Sequence, residues 1–264
     1  MLEPSQSTFF AFEEVLPGSP AHEAYLEARH AIFCSELGRV APSNASSTRG
    51  LPIETDVYDD YSRHFVARRL ETDEIAACVR VIFPSPAGLN VSARYQIDPV
   101  LPYEDARADN VGEISRMAIS QAYRRRQGES DRIHGLAGSE GLPQGVGRPE
   151  RRHQPELVFG MYRMVYLACT SSGIDYCMAA MDNQFSRLLR TIGLPFVPVG
   201  PLNDQVEPPR RPYIIGARAL EQGLARRNDA LLAFMTASGR GEKETAGSQT
   251  MPGVIPCTDG LAPA

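Results

Sequence analysis

The chain has 264 residues, of which 42% are hydrophobic, and a formal net charge of −5. This composition is sufficient for a buried core in one large or two small domains, and its acidic balance argues against a dedicated nucleic-acid binder. Five cysteines, odd in number and without Cys-x-x-Cys spacing, argue against a disulfide framework or a structural zinc site. No apolar run reaches the ~20 residues that span a bilayer, and the N-terminus lacks the pattern of a signal peptide. We therefore expect a soluble, cytoplasmic protein.

Strands and helices alternate along the predicted chain. The first strand is predicted near residues 9–12, and a helix follows that begins after Ser19 and ends at Gly38. Alternating or continuous apolar runs predict further strands at 63–71, 74–84, 113–120, 176–181, 196–201 and 211–219. Helical spacing of apolar residues predicts helices at 157–172, 182–192 and 219–237. This order predicts a mixed α/β fold with helices on a central sheet.

Two segments lack any such pattern. Residues 121–155 are rich in Gly, Arg and Pro, and we expect a mobile, mildly basic insertion there. Residues 238–264 are rich in Gly, Pro and polar residues, and we expect a disordered tail. The folded part is predicted to be a single domain over residues 1–237.

Three short motifs carry charged residues at positions that core packing alone would not require. The first motif is "RHAIF", with Arg29 and Phe33, and the second is "ETDVYD", with Glu54, Asp56 and Asp59. The third is "CVRVIFP" followed by "GEISRMAI", with Arg80, Glu113, Ser115 and Arg116. Acids grouped in a loop can bind a metal, a cationic amine or arginines. Without histidine or calcium-loop spacing the metal signal is poor, so arginine partners are favoured.

In order and spacing, these motifs resemble those of the acyl-homoserine-lactone autoinducer synthases and the long-chain N-acyl amino acid synthases. Both groups lie within the GNAT acyltransferase superfamily. The resemblance implies a GNAT-like sheet whose central strands splay apart to leave a gap for a thioester. Autoinducer synthases carry a Trp shortly after the Phe of the first motif, whereas this chain has no Trp and "ELGR" stands there. The difference favours the N-acyl amino acid synthases, including the acyltransferases associated with PEP-CTERM/exosortase sorting systems.

The resemblance also implies roles for individual residues. Glu113 matches the general base, which takes a proton from the attacking amine; an ordinary ion pair with Arg80 or Arg116 is the alternative. Strand alternation places Glu113 and Arg116 on opposite faces, so Arg116 is expected to hold the acidic loop rather than the substrate. Phe33 matches a wall of the acyl channel, although helical spacing fits a core phenylalanine equally well.

The acyl donor is inferred from a motif that is degenerate here. GNAT enzymes that use acetyl-CoA carry a Gly-rich pyrophosphate loop after the fourth strand, and in this chain only Gly128 is near that position. We therefore favour acyl carrier protein as the co-substrate, with acyl-CoA as the alternative donor, and expect no tightly bound cofactor and no metal. Carrier proteins are acidic, and a basic docking surface is therefore predicted at Arg124, Arg125, Arg126, Arg151 and Arg152. The alternative is that these residues belong to a disordered, solvated loop without a docking role.

Taken together, the sequence predicts an N-acyltransferase that moves a long acyl chain from acyl carrier protein to the amine of an amino acid. Two alternatives stay open. One is homoserine-lactone synthesis from S-adenosylmethionine, and the other is a non-catalytic module that binds acyl lipids or carrier protein. The amino acid, the chain length and the oligomeric state do not follow from the sequence.

Overall fold

The structure is a computed structural model that describes residues 1–2, 5–124 and 154–237. Its strands are β1 (Ser5–Gln6), β2 (Phe10–Val15), β3 (Ser62–Arg69), β4 (Ile75–Ile82), β5 (Val111–Ile119), β6 (Tyr176–Met181), β7 (Val197–Pro198) and β8 (Arg211–Gly216). Its α-helices are α1 (Pro20–Arg29), α2 (Asn90–Arg94), α3 (Gln154–Ser171), α4 (Asn183–Thr191), α5 (Ala217–Arg227) and α6 (Asp229–Thr236). A π-helical stretch, His30–Glu36, continues α1, and single 3₁₀ turns lie at Asp59–Tyr61 and Gln121–Tyr123.

All eight strands form one mixed sheet in the order β1-β2-β3-β4-β5-β6-β8-β7. Apolar side chains of α3, α4, α5 and α6 pack on one face, which carries the larger core. Helix α1 packs on the other face beside β3 and β4, and α2 packs there beside β6 and β8. The predicted mixed α/β fold with flanking helices is confirmed.

The central strands β5 and β6 separate soon after they pair. Every other pairing in the sheet is antiparallel, whereas β5 and β6 run parallel and are in register only from Val111↔Tyr176 to Glu113↔Met178. Beyond Glu113, β5 continues to Ile119 without a ladder to β6. The sheet therefore opens at its centre, immediately after Glu113.

The C-terminal part of the fold differs from the sequence prediction in two places. The single helix expected over 219–237 is two helices, because Asn228 leaves the helical conformation and its side chain accepts a hydrogen bond from the Leu231 N–H at 2.9 Å. The strand expected at 196–201 is reduced to two residues, since its prolines cannot donate to a ladder.

Residues 121–124 and 154–155, at the two ends of the expected insertion, belong to the described structure. Residues 125–153 and the expected tail 238–264 lie outside the described residues. Within the described ranges, no helix combines the length and the apolar character needed to cross a membrane.

Close packing of α3 on the sheet depends on one glycine. A Cβ built on Gly160 would lie 2.1 Å from the ring of Phe12 on β2. At a helix position with free space around it, replacing glycine by alanine raises the free energy of unfolding by about 1 kcal/mol. We expect Gly160→Ala instead to lower the free energy of unfolding by about 1–3 kcal/mol, as overpacking does, measured by urea denaturation. Adding Phe12→Leu should recover part of this loss, and a stability gain in the single variant would contradict the packing.

Candidate active site

A β-bulge in β5 brings Glu113 and Arg116 to the same side of the sheet. Arg80 on β4 pairs with Ser115, but Cys78 pairs with Ala118, so two residues of β5 lie opposite one of β4. Arg116, the first of the two, has a φ of 50°, in the left-handed region that non-glycine residues rarely adopt. The predicted placement of the two charges on opposite faces is therefore wrong, because the alternation is broken between them.

A closed ring of alternating charges joins α1, the loop before β3, and strands β4 and β5. Its members, each in contact with the next, are Arg29, Glu54, Arg116, Asp56, Arg80 and Asp59, which returns to Arg29. Arg80 lies 2.6 Å from both Asp56 and Asp59, and Arg116 lies 2.8 Å from Glu54. The arginine partners predicted for the acidic loop are all present, and the ring as a whole is neutral.

The arginines keep the acids of this charge ring ionised. Burial alone would raise the pKa of Asp59, but Arg29 and Arg80 outweigh burial and hold that pKa well below its usual value. The same balance between burial and neighbouring guanidinium groups lowers the pKa of Glu54 and of Asp56. With their charges occupied in this way, these acids are structural groups and do not form an open site for a metal ion.

Phe33 and Ser115 both lie beside the charge ring. The side chain of Phe33 is buried, and the centroid of its phenyl group lies 5.6 Å from the Arg116 guanidinium. Ser115 accepts a hydrogen bond from Arg80 Nη2 at 3.3 Å. Phe33 thus belongs to the core cluster beneath α1 and also lines the cavity described below. The two predicted roles, core packing and a wall of the acyl channel, are therefore compatible.

Glu113 lies where β5 and β6 separate, and only 3% of it is exposed. Its Oε2 accepts a hydrogen bond from the Val91 N–H at 2.7 Å, and its Oε1 accepts one from the Asn90 side-chain amide at 3.2 Å. Burial raises the pKa of Glu113, and these hydrogen bonds, with Arg80 and Arg116 nearby, offset that rise only in part.

Unlike the acids of the charge ring, Glu113 has no ion pair within the described residues. The ion pair with Arg80 or Arg116 that the sequence left open does not form. A carboxylate with a raised pKa and no cationic partner can accept a proton near neutral pH.

A cavity of about 220 Å³ occupies the gap between β5 and β6. Residues from both faces of the sheet line it, and the two halves differ in character. The half on the α1 side is polar and includes Asn90, Arg94, Glu113, Ser115, Arg116 and Arg210. The half on the α3 side is apolar and includes Val165, Ala179, Met181, Phe185, Leu189 and Phe196. Glu113 therefore lies at the boundary between the polar half and the apolar half of the cavity.

The residues predicted to dock a carrier protein are only partly described. Arg124 forms an ion pair with Glu36, and 13% of its side chain is exposed. Arg125, Arg126, Arg151 and Arg152 lie outside the described residues, so the docking surface stays a prediction.

Sequence reasoning missed the residues that hold Glu113 in place. Asn90 and Val91 belong to α2, a single turn inside a polar segment that reads as loop. Their contact with Glu113 is long-range, and a lone Asn carries no signal of it. The apolar lining of the cavity is equally hidden, since its residues come from α3, α4 and β6 and each looks like ordinary core.

Part of the chain matches a known protein family. Residues 28–131 match the family model described as "Acetyltransferase (GNAT) domain". No curated protein sequence matches the chain.

Three solved structures illustrate the likeness. TofI in a ternary complex with an inhibitor and MTA is 20% identical, with 83% of this chain and 98% of that chain covered and a TM-score of 0.50. The CoA-dependent acyl-homoserine lactone synthase BjaI with MTA is 17% identical, with 79% and 82% covered and a TM-score of 0.50. FeeM, an N-acyl amino acid synthase from uncultured soil microbes, is 10% identical, with 84% and 96% covered and a TM-score of 0.49.

Residues 28–131 therefore match a GNAT acetyltransferase domain, and this match agrees with the acyltransferase that the motifs predicted.

Removing one arginine of the charge ring should be costly. The side chain of Arg80 is fully buried, and its loss leaves Asp56 and Asp59 without their shared partner. We expect Arg80→Ala to lower the free energy of unfolding by about 3–5 kcal/mol, measured by urea denaturation. The control is Arg68→Ala, which breaks the half-exposed pair with Glu13 and should cost at most about 1 kcal/mol. Equal losses in the two variants would contradict a special role for the ring.

Stability should also fall in acid, because the pKa values of Glu54, Asp56 and Asp59 are lowered in the folded protein. Carboxyl groups of this kind contribute stability above their unfolded pKa values of about 4, and the contribution is lost as the pH falls through the folded values. We expect the free energy of unfolding to decline steadily below about pH 4.5, measured by denaturant titration at a series of pH values. Asp59→Asn should make this decline shallower, whereas a flat profile down to pH 3 would count against the ring.

Proposed function

We propose that the protein transfers a long-chain acyl group from acyl carrier protein to the amine of an amino acid, with Glu113 as the general base. One observation carries the proposal. A buried glutamate without an ion pair stands at the boundary between the polar and apolar halves of a cavity that occupies the gap in the sheet. The apolar half suits an acyl chain, the polar half suits a charged acceptor, and the reacting atoms would meet beside Glu113.

The chemistry follows from what an amine requires. An ammonium group has no lone pair, so it must lose a proton before it attacks the carbonyl carbon of the thioester. Glu113 accepts that proton, directly or through a water molecule, and its raised pKa favours this step. As the tetrahedral intermediate collapses, the C–S bond breaks, the nitrogen gives up its second surplus proton to the departing sulfur, and the amide and the thiol of the donor are formed. Glu113 then releases the first proton to solvent.

The opening between β5 and β6 supports entry of an extended donor. It begins at the register position of Glu113, so a thioester lying in the gap would have its carbonyl close to the base. The apolar half continues from this point between the sheet and helices α3 and α4, where Val165, Phe185 and Leu189 line it. A methyl group would leave most of this half empty, which favours a long acyl chain over an acetyl group.

The donor is inferred from the sequence and from the fold. BjaI is described as CoA-dependent, so both kinds of thioester are reasonable donors for this fold. We favour acyl carrier protein because the Gly-rich pyrophosphate loop is degenerate in this sequence. Homoserine-lactone synthesis is the second candidate, since TofI and BjaI, both solved with MTA, share the fold.

The base is tested by Glu113→Gln, which keeps the size of the side chain and one of its two acceptor atoms but cannot accept a proton. We expect cells that express the unchanged protein to accumulate an N-acyl amino acid, detected by mass spectrometry of lipid extracts, and this product to disappear in the variant. Glu156→Gln is the matched control, because Glu156 is also buried and accepts a backbone N–H, that of Phe9, but lies outside the cavity.

Other outcomes would redirect the proposal. An acylated lactone would identify the second candidate. Retention of the N-acyl product in Glu113→Gln would remove Glu113 from its role as base. Lipid binding without any new product would show a non-catalytic module.

A further inference from the structure

The polar half of the cavity has an excess of positive charge. The charged residues that line the whole cavity are Arg39, Arg94, Arg116, Arg210, Glu113 and Asp175. Arg116 is neutralised within the charge ring, and Asp175 accepts a hydrogen bond from Asn110 before the start of β6. Arg94 and Arg210 stand apart, since neither forms an ion pair or a side-chain hydrogen bond within the residues that the structure describes.

Arg94 is placed near Glu113 by helix α2. Asn90, at the first position of this helix, donates its side-chain amide to Glu113. Arg94 follows four positions later, and residues at this spacing lie on the same helix face, about 6 Å apart along the axis. The guanidinium of Arg94 therefore belongs to the same wall of the cavity as the base.

Arg210 reaches the cavity from the opposite side of the gap. Its backbone is fixed by two hydrogen bonds with Asn203, of 2.7 and 3.1 Å, immediately before β8. The next residue, Arg211, pairs with Met181 at the end of β6. Arg210 is therefore held at the mouth of the opening by backbone contacts, and its side chain is not needed for them.

The phenol of Tyr95 shows that these charges share one neighbourhood. Burial raises the pKa of Tyr95, Arg210 and Arg94 lower it, and Glu113 raises it. Tyr95, the two arginines and Glu113 all line the same cavity.

We propose that Arg94 and Arg210 bind the carboxylate of the amino acid acceptor and thereby distinguish an amino acid from a simple amine. This inference rests on the proposed N-acyl transfer. The carboxyl carbon of an α-amino acid is two bonds from its nitrogen, so an amine beside Glu113 has its carboxylate within reach of cations in the same wall. Arginine suits this task because its planar fork binds a carboxylate with two parallel hydrogen bonds.

The phosphate of the donor's pantetheine arm is a different anion that could meet these arginines. It lies at the far end of the arm from the thioester, whereas Arg94 lies one helical turn from a residue that touches the base. The acceptor carboxylate is therefore the better match. The two ligands also differ in kinetics, because loss of a contact to the acceptor raises the acceptor's KM, and loss of a contact to the donor raises the donor's KM.

The test compares each amino acid with its own amide, which has the same side chain and amine but no negative charge. The full chain is incubated with palmitoyl-loaded acyl carrier protein and either the twenty common L-amino acids or their amides, and products are identified by mass spectrometry. Steady-state kinetics then follow for the preferred acid and its amide. The variants are Arg94→Gln, Arg210→Gln and Arg210→Lys, and the control is Arg227→Gln on the exposed side of α5.

We expect the unchanged protein to prefer the acid over the amide by at least about tenfold in kcat/KM, since a charge-assisted hydrogen bond contributes about that factor. Each Gln variant should raise the KM for the acid by about tenfold, while the amide reaction and the donor's KM stay unchanged. Arg210→Lys should recover part of the loss, and Arg227→Gln should behave like the unchanged protein.

Three results would overturn the inference while leaving N-acyl transfer intact. These are equal use of acid and amide by the unchanged protein, an unaltered acid preference in both Gln variants, and a rise in the donor's KM instead of the acceptor's. If the unchanged protein acylates no amine at all, the proposed function fails, and the carboxylate site fails with it.

Discussion

The closed ring of three arginines and three acids is the constraint on which the site depends. It fastens the loop 54–59 to α1 and to both central strands, and it holds Arg116 in a left-handed conformation that costs on the order of 1 kcal/mol. Each acid touches two arginines and each arginine touches two acids, so the removal of any one member leaves the buried ring with a net charge. The bulge in β5, the position of Phe33 and the polar wall of the cavity all follow from this arrangement.

The sequence predicts the members of the ring better than its geometry. Arg29, Arg80 and Arg116 and their acidic partners stand out because charges are rare in helices and strands that pack against a core. The opposite faces assigned to Glu113 and Arg116 were wrong, because no glycine marks the bulge and alternation reads through it. The partners of Glu113 were invisible, since the single turn at Asn90 has too few residues for a periodic signal. Where helices are long and strands continuous, pattern and structure agree.

Charge is distributed unevenly around the cavity, and this unevenness supports the proposed reaction. The ring consumes its own charges and presents a neutral surface, so it neither attracts nor repels a substrate strongly. Glu113, Arg94 and Arg210 are charged residues of the cavity lining that form no ion pair within the described structure. An acceptor with one amine and one carboxylate complements such a set, and an uncharged acyl chain complements the apolar half behind it.

The separation of β5 from β6 has a further consequence for how the protein avoids unwanted association. Peptide groups on the facing edges of these strands do not pair with each other beyond Glu113 and Met178. An unpaired strand edge on a protein surface invites another chain to add to the sheet. Here the unpaired edges lie in the middle of the sheet, with helices on both of its faces, so they are not offered to another chain at the surface. Peptide groups that would promote aggregation at the outer edge of a sheet instead border the cavity.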